Sequence, residues 1–237
     1  MSCYALIPAA GNGFRFGAGM PKQYSLLCGK PVLQHAIERL TSALAPAMTY
    51  VVLAQGDQWF DSAMPVREDV TVLRCGGATR ATSIHNALVA LSGIATEDDW
   101  IVVHDAVRPC LDRASVLRLK TELADDTVGG LLAVPVTGTL QRSDERARMA
   151  CSEPREGLWR AQTPQMFRYR MLQEAFARPG SEHATDEAHA VEALGMKPRL
   201  VLGSTTNIKV TYPEDLLLAA AILAAHPDRG ETSRTAT

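Results

Sequence analysis

The feature that most constrains the fold of this chain is an alternation of two hydrophobic periods. Continuous apolar runs of strand length alternate with stretches in which apolar residues recur at helical spacing. The predicted strands are Tyr4 to Pro8, Met48 to Ala54, Val70 to Arg74, Trp100 to Val103, Gly130 to Val136, Arg199 to Leu202 and Asn207 to Val210. The predicted helices are Pro31 to Ala43, Thr79 to Leu91, Arg113 to Leu123, Tyr169 to Ala177, Asp186 to Leu194 and Pro213 to Ala225. This alternation predicts an α/β fold, with a mainly parallel sheet and helices on both faces.

Residues 1–226 are expected to form one domain from which an arm projects. The stretch from Thr137 to Glu156 is polar, has no core-facing period and is too long for an ordinary loop, which indicates an arm at about residues 137–157. The apolar pattern resumes at Gly157 to Ala161. Thr211 and Glu214 are predicted to form a capping box before the last helix. The polar tail, residues 227–237, is predicted to be disordered.

Composition and charge narrow the class of protein. Of the 237 residues, 46% are hydrophobic and 21% are charged, which is ordinary for a soluble globular protein. The net charge of -2, with acids and bases mixed along the chain, argues against a nucleic-acid partner. The N-terminal apolar run is too short for a signal peptide or a membrane span, and no basic residues precede it. We therefore expect a cytoplasmic protein without a membrane partner.

Cysteine usage points the same way. The five cysteines are odd in number, scattered and without a CxxC pair; they are Cys3, Cys28, Cys75, Cys110 and Cys151. This pattern favours reduced and mostly buried thiols over disulfides or a zinc site.

Three motifs each follow a predicted strand: PAAGNG, GGATR and HDAVRP. The carboxyl ends of parallel strands lie at one edge of a sheet, and ligands of open α/β sheets bind along that edge. The three motifs are therefore predicted to meet in space and to form a binding site.

The first motif extends from Pro8 to Tyr24 and is rich in glycine. Such a loop can turn its backbone N–H groups towards phosphate oxygens, and Arg15 and Lys22 add positive charge. It has neither the GK[ST] of a Walker loop nor the helix and acidic residue that follow a dinucleotide-binding loop. Taken alone, the motif could also be a surface turn with two solvated basic residues.

The second motif, Gly76 to Leu88, places Gly77 and Ser83 where a strand gives way to a helix. Backbone amides and the Ser83 hydroxyl could bind a flat ligand or an anion there. A strand-to-helix turn capped by Thr79 or Thr82 explains the motif better when it is considered alone.

The third motif, HDAVRP, places Asp105 at the end of an apolar strand. Asp105 could hold Mg²⁺, which takes one or two carboxylates together with phosphate oxygens. Arg108 could pair with Asp105 or with a phosphate, and a buried Asp–Arg pair without catalytic function is an equal alternative. His104 is assigned to packing or orientation rather than to proton transfer.

Two further segments carry charged residues. Lys209 lies on the predicted strand in NIKVT, where a lysine is unusual unless it faces a cleft. In TDEA, which begins at Thr185, an N-cap followed by acids on the helix dipole is a sufficient explanation of the residues.

The combination of these residues suits nucleotidyl transfer. A glycine loop with Arg15, Lys22 and Lys209 could bind a triphosphate, and Asp105 could bind its Mg²⁺. If the attacking group is itself a phosphate, it is already ionised near neutral pH and needs no general base. The protein would then act by positioning the two reactants and offsetting charge.

Seven motifs occur in order along the chain: PAAGxGxRF, PKQY, GGxxRxxS, HDAVRP, LWRAQTPQMF, TDEA and NIKVTYPEDL. Together, from about Ala5 to Leu223, they resemble the 2-C-methyl-D-erythritol 4-phosphate cytidylyltransferase family of non-mevalonate isoprenoid synthesis. The resemblance implies a Rossmann-like fold and a homodimer formed through the arm. It also implies that CTP and 2-C-methyl-D-erythritol 4-phosphate react, with Mg²⁺ or another divalent cation, to give 4-diphosphocytidyl-2-C-methylerythritol and pyrophosphate.

The resemblance also implies residue roles. The residues expected around CTP are Ala10, Gly11, Gly13, Gly77 and Ser83. The catalytic cations are expected to be Arg15 and Lys22 at the CTP phosphates and Lys209 at the attacking phosphate or the α-phosphate. Asp105 would hold the metal and lie near the polyol. The remaining substrate-binding residues are expected to be Arg108, Thr163 and Thr185, together with Thr139 and Arg155 of the partner subunit's arm.

The chain departs from the family pattern at four positions. Ala78 and Thr79 stand where some relatives have acidic residues, so backbone groups would replace side-chain contacts to the base. Gly138 and Gln141 stand where Asp and Lys are common.

Other functions remain open at this stage. Ribitol-5-phosphate cytidylyltransferases are similar over most of the chain, but they typically begin with AGG where this chain has PAAG. A non-catalytic nucleotide-binding protein is a second alternative, against which the joint presence of Arg15, Lys22, Asp105 and Lys209 argues. A dehydrogenase is a third, and the chain has no dinucleotide fingerprint.

Overall fold

The computed structural model describes residues 1–11 and 20–226. Gly13, Arg15 and the predicted disordered tail at residues 227–237 lie outside the described residues. The strands are β1 Cys3–Pro8, β2 Leu26–Leu27, β3 Lys30–Pro31, β4 Met48–Val52, β5 Val70–Leu73, β6 Trp100–Val103, β7 Gly129–Pro135, β8 Leu140–Ser143, β9 Met149–Glu153, β10 Trp159–Arg168 and β11 Arg199–Leu202. The helices are α1 Val32–Leu44, α2 Phe60–Ala63, α3 Arg80–Ala90, α4 Arg113–Glu122, α5 Tyr169–Ala177, α6 Glu187–Glu192 and α7 Asp215–Ala225.

The central sheet has seven strands in the order β11-β7-β10-β6-β1-β4-β5. β1 runs parallel to β4 and β6, β4 runs parallel to β5, and β11 runs parallel to β7. β10 is antiparallel to both of its neighbours, β6 and β7. The predicted α/β fold with a mainly parallel sheet is therefore confirmed.

Helices cover both faces of the sheet, as the continuous apolar strands require. Along β1 the side chains alternate, so that Ala5 and Ile7 join one core cluster and Leu6 joins the other. The first cluster includes buried residues of α1 and α4, and the second includes those of α3, α5 and α6. In α1, Val32, Leu33, Ala36, Ile37 and Leu40 form the buried face that the sequence predicts.

The predicted arm is an exposed hairpin. β8 and β9 pair antiparallel with each other as a separate two-stranded sheet. None of the residues from 137 to 157 is buried. The polar composition of this segment is thus explained by its position in a hairpin outside the core.

β10 is not among the predicted strands. The sequence indicates only that the apolar pattern resumes at Gly157 to Ala161, whereas the strand extends from Trp159 to Arg168. Gln162, Thr163 and Gln165 interrupt the pattern, and the pairing with β7 shifts register between Ala161 and Gln165. These polar side chains are nevertheless buried, because they bind groups at the carboxyl edge of the sheet.

The strand predicted at Asn207 to Val210 is wrong. This segment has no strand conformation and lies against the loop that follows β6. The Val210 N–H donates to Val107 O at 2.8 Å, and Arg108 Nη1 donates to Asn207 O at 2.8 Å. Because its hydrogen-bond partners lie in a loop rather than in a strand, this segment forms no strand pairing.

The capping box predicted before α7 is also wrong. Glu214 occupies the N-cap position and makes no capping hydrogen bond with its side chain. Instead, Asp215 Oδ2 accepts from the N–H groups of Thr211 at 2.7 Å and Tyr212 at 2.9 Å. The carboxylate one residue after Glu214 therefore accepts the hydrogen bonds from the backbone of the turn before the helix.

All five cysteines are free thiols, as predicted, but the expectation that most are buried is wrong. Cys110 is buried, whereas Cys28 and Cys151 are exposed and the other two are partly buried.

Candidate active site

A cavity of about 650 Å³ opens at the carboxyl edge of the sheet, where the three motifs meet. Its walls come from the end of β1, the turn before α3, the loop after β6 and the segment that follows β11. The described lining residues are Pro8, Ala9, Ala10, Gly11, Lys22, Gln23, Ala54, Gly77, Ala78, Thr79, Arg80, Ser83, Asp105, Ala106, Val107 and Lys209. The predicted convergence of PAAGNG, GGATR and HDAVRP is confirmed.

Gln23 fixes the start of the glycine loop. Its side chain is buried, and Nε2 donates to Ala9 O at 2.9 Å and to Gly11 O at 3.1 Å. In a trans peptide the N–H points opposite to the carbonyl, so the Ala10 N–H is directed away from Gln23. The sequence analysis assigned no role to Gln23, although it lies in the PKQY motif next to Lys22.

The two glycines before α3 are required by close approach. A Cβ on Gly76 would lie 2.4 Å from Ala10 Cβ, and one on Gly77 would lie 2.4 Å from Thr82 Cγ2. The Gly77 N–H donates to Ser83 Oγ at 3.0 Å, and Ser83 Oγ donates to Thr79 O at 2.9 Å. The Ser83 hydroxyl therefore orders this turn, and its hydrogen is already used within it.

Thr79 caps α3, as one of the two alternatives predicted. Its Oγ1 accepts from the Thr82 N–H at 3.0 Å. Thr79 therefore both caps the helix and lines the cavity.

Asp105 is the centre of a cluster of charged side chains. Oδ1 accepts from Arg80 Nε at 3.3 Å, and Oδ2 accepts from Arg108 Nε at 3.2 Å and from Lys209 Nζ at 3.0 Å. Burial opposes ionisation of the carboxyl, but Arg80, Lys209 and Arg108 outweigh it and hold the pKa of Asp105 well below its usual range. Asp105 is therefore an ionised carboxylate, and of the two alternatives for Arg108 the pairing with Asp105 is the one observed.

Arg80 joins this cluster to a second carboxylate. Its Nη1 donates to Glu187 Oε1 at 2.7 Å and its Nη2 donates to Glu187 Oε2 at 3.1 Å. Burial lowers the pKa of the Arg80 guanidinium, but the charges of Glu187 and Asp105 outweigh burial and raise it. Arg80 therefore binds two carboxylates, one at the cavity wall and one behind it.

Sequence reasoning missed this pair and gave TDEA only a capping function. Asp186 does cap α6, accepting from the His189 N–H at 2.9 Å, but Glu187 is fully buried and pairs with Arg80. One signal was available in the sequence. An arginine in the first turn of a helix faces the positive end of the helix dipole, and Arg80 opens α3 without an acidic neighbour in that turn.

His104 has an orienting function, as expected. Burial lowers its pKa to about 4, so the imidazole is neutral near pH 7. Its Nε2 lies 3.1 Å from Arg108 O, which can only accept, so Nε2 carries the hydrogen. Its Nδ1 then accepts from Thr163 Oγ1 at 3.0 Å, and Thr163 Oγ1 accepts from the Asp105 N–H at 3.0 Å. His104 and Thr163 thus hold the loop that carries Asp105.

The two predicted lysines lie on the same side of the cavity. Lys22 Nζ donates to Val210 O at 2.9 Å, next to Lys209 in the chain. The Lys209 side chain is 44% exposed and faces Asp105. Their common position near one carboxylate and the glycine loop suits the binding of phosphate groups.

Comparison with known proteins shows the family of the chain. The model of the 2-C-methyl-D-erythritol 4-phosphate cytidylyltransferase family matches residues 3–225. A protein of that name from Dechloromonas aromatica (strain RCB) is 52% identical over 224 residues, which cover 94% of this chain and 97% of the relative. The chain belongs to this cytidylyltransferase family.

Two solved structures of cytidylyltransferases share the fold. A crystal structure of 4-diphosphocytidyl-2C-methyl-D-erythritol synthase superposes with a TM-score of 0.83 at 37% identity, covering 94% of this chain and 98% of that one. The 2-C-methyl-D-erythritol 4-phosphate cytidylyltransferase of Francisella tularensis superposes with a TM-score of 0.81 at 31% identity, covering 94% and 100%. The chain is thus a nucleotidyltransferase by family.

Five predicted site residues do not line the cavity. Arg108 and Thr163 lie behind Asp105, and Thr185 is exposed, with its Oγ1 3.2 Å from His189 Nδ1. Thr139 and Arg155 are exposed on the arm, where Arg155 Nη1 donates to Thr137 O. The arm residues are therefore outside the site formed by their own chain.

Asp105 could offer a metal ion one carboxylate, and both of its oxygens already contact the cationic side chains of Arg80, Arg108 and Lys209. Among the described lining residues, Asp105 is the only carboxylate, and residues 1–11 and 20–226 contain no group of three or more His, Cys, Asp or Glu side chains placed to bind a metal. Mg²⁺ often takes one or two carboxylates and obtains its other ligands from water and substrate phosphates. The described lining residues therefore offer a metal ion no more than one carboxylate, and its other ligands would have to come from water and substrate phosphates.

Within the part of the chain that the structure describes, no helix is both long enough and apolar enough to span a membrane.

Proposed function

We propose that this chain catalyses the reaction of its family, the transfer of the cytidylyl group of CTP to 2-C-methyl-D-erythritol 4-phosphate. The products are 4-diphosphocytidyl-2-C-methylerythritol and pyrophosphate. The observation that carries the proposal is the cluster of Lys22, Lys209, Arg80 and Asp105 beside the start of a glycine loop, in a chain of this family. Positive groups around one carboxylate suit the meeting of two polyanionic substrates.

The reaction needs positioned charges rather than a general base. An oxygen of the acceptor phosphate forms a bond to the α-phosphorus of CTP, and the bond from that phosphorus to the β-phosphate oxygen breaks. Pyrophosphate leaves with the electron pair. A phosphate monoester has its second pKa near 6, so the acceptor is mostly ionised near pH 7. In agreement, His104 is buried behind the cavity and does not line it.

The nucleotide is assigned to the glycine-rich side of the cavity. CTP is proposed to lie against Ala10, Gly11, Gly13, Gly77 and Ser83. Ser83 contributes by ordering the turn at Gly77, so contacts to the base come from backbone groups near Ala78 and Thr79. Arg15 and Lys22 bind the CTP phosphates in this proposal, and Lys209 binds the attacking phosphate or the α-phosphate.

The acceptor is assigned to the Asp105 side. Arg108, Thr163 and Thr185 shape this side, and Asp105 lies near the polyol. Thr139 and Arg155 reach the acceptor phosphate from the arm of a second subunit, which makes the functional unit a homodimer. The arm residues are exposed and are not among the described residues that line their own cavity, which supports this assignment.

Asp105 is also the residue proposed to hold Mg²⁺ or another divalent cation with the nucleotide phosphates. Such an ion would offset negative charge on those phosphates. We propose a cytoplasmic location, which the five free thiols support.

The test is pyrophosphate release with CTP and Mg²⁺, measured in parallel with 2-C-methyl-D-erythritol 4-phosphate, with ribitol 5-phosphate and without an acceptor. Release with the first acceptor alone is the expected result. Release with ribitol 5-phosphate alone would keep the chemistry and overturn the acceptor assignment. No release with either acceptor, combined with measurable CTP binding, would favour a non-catalytic nucleotide-binding protein.

A further inference from the structure

We propose that Glu187 is a positioning residue for this reaction, acting through Arg80 to hold the carboxylate of Asp105 in place beside Lys209. Glu187 is fully buried and is not among the residues that line the cavity. Arg80 does line it and contacts both carboxylates. The inference rests on the proposed function, because it concerns the same site.

The guanidinium of Arg80 is held as a fork. Two of its nitrogens donate to the two oxygens of Glu187, at 2.7 and 3.1 Å, which leaves Nε to approach Asp105 Oδ1 at 3.3 Å. A two-point contact between planar groups fixes the orientation of the guanidinium as well as its position. Glu187 therefore determines which nitrogen of Arg80 is presented to Asp105.

Glu187 is itself held rigidly by the sheet. Gln165, on β10, binds the residues on both sides of it: Nε2 donates to Asp186 Oδ2 at 3.1 Å, and Oε1 accepts from the Ala188 N–H at 2.8 Å. The first turn of α6 is thereby tied to the central sheet. A buried carboxylate on a fixed turn is suited to orienting another side chain.

The charge balance explains why the contact matters. Three cations, Arg80, Arg108 and Lys209, face two carboxylates, Asp105 and Glu187. In Glu187→Gln the side chain is neutral and one acceptor oxygen is replaced by an NH2 donor, so one terminal nitrogen of Arg80 would lose its acceptor. Asp105 is the other carboxylate that Arg80 contacts. Arg80 would then turn its fork to Asp105 and compete with Lys209, which contacts Oδ2 at 3.0 Å. The expected consequence is a misplaced Lys209 at the reacting phosphates.

The first experiment compares Glu187→Gln with the wild type in steady-state kinetics. A displacement of about 1 Å at a reacting group can cost on the order of 100-fold in rate, so we expect kcat to fall roughly 10- to 100-fold. KM for CTP should change less than about 3-fold, because the glycine loop is untouched. Glu122→Gln is the matched control, since Glu122 forms an exposed pair with Arg199 away from the cavity.

A second variant separates positioning from stability. In Arg80→Met/Glu187→Leu the buried pair is replaced by apolar side chains of similar length, a change that often leaves stability unaltered or improves it. We expect a melting temperature at or above that of Glu187→Gln, while kcat stays at least about 10-fold below the wild type. Recovery of kcat along with stability would mean that the pair serves folding only, and the proposal would be wrong.

Two further outcomes complete the test. If Glu187→Gln does not fold, Arg80→Lys carries the same expectation, because lysine keeps the charge but cannot form the fork. If the wild type is active and kcat of Glu187→Gln lies within about 3-fold of the wild-type value, the positioning role alone is overturned. A wild type without turnover would instead contradict the proposed function.

Discussion

The side chain of Lys209 should matter much more for catalysis than for folding. Its ammonium lies 3.0 Å from Asp105 Oδ2 while the side chain is 44% exposed, so the ion pair should contribute no more than about 1 kcal/mol to stability. At the reacting phosphates the same charge would act in the transition state. We therefore predict that Lys209→Ala lowers kcat by at least about 100-fold and leaves the melting temperature nearly unchanged.

The measurement is kcat together with thermal unfolding, and Lys197→Ala is the control because Lys197 is exposed and does not line the cavity. Lys22→Ala is expected to behave like Lys209→Ala, since it removes a phosphate-binding cation from the same wall. Near-normal turnover in either variant would show that the role of that lysine is misassigned.

Sequence alone could predict the site residues that lie directly after a strand. Gly77 and Asp105 each come just after an apolar run, so the parallel sheet brings them together whatever the details of packing. The pair of Arg80 and Glu187 has no such rule, because its members are 107 residues apart and each also has a local explanation. Gln23 was missed for a similar reason, since only the fold shows that its amide meets two carbonyls of the glycine loop.

At the scale of elements, Asp99 ties together the starts of β1 and β6. Its Oδ1 accepts from the Ser2 N–H at 2.5 Å and its Oδ2 accepts from the Thr96 N–H at 2.8 Å. Burial alone would raise the pKa of this carboxyl, but the hydrogen bonds from Thr96 and Ser2 outweigh burial and lower it. The stabilisation is therefore present above the ordinary carboxyl pKa, and it is lost as pH falls through the lowered value.

We predict that Asp99→Asn lowers the free energy of unfolding at pH 7 by about 1–2 kcal/mol, because a charged acceptor is removed from two hydrogen bonds. The difference from the wild type should stay constant from pH 7 down to about 4 and shrink at lower pH. Denaturant unfolding at several pH values measures it, with Asp98→Asn, an exposed neighbour, as the control. A difference that is equally large at low pH would mean that the ionised carboxylate is not its cause.

Elements with a clear hydrophobic period were predictable, and those shaped by the site were not. α1 has an apolar face that contacts the sheet, and its predicted and observed bounds agree closely. β10 has buried glutamines and a threonine that serve the cavity edge, and these hide its strand pattern. The segment from Asn207 to Val210 alternates polar and apolar residues as a strand can, but its partners are Val107 and Arg108 in a loop.

At the scale of the whole molecule, the arm raises the question of which chain completes the site. The hairpin of β8 and β9 is exposed, and Arg155 follows β9 on the arm and does not line the cavity of its own chain. In a symmetric dimer each arm would serve the partner's cavity, so the two sites would exchange arms. Arg155→Ala should then raise KM for the acceptor phosphate and leave KM for CTP nearly unchanged.

Mixing two defective variants tests the exchange directly. Lys209→Ala removes the cavity lysine and keeps the arm, whereas Arg155→Ala keeps the cavity and removes the arm cation. If arms act on the partner, one of the two sites in each mixed dimer has both residues intact. Random pairing makes half of the dimers mixed, so co-expressed chains should recover about a quarter of wild-type activity at low acceptor concentration. If each arm serves its own chain, or if size-exclusion chromatography shows a monomer, the mixture will be no more active than the average of its two parents.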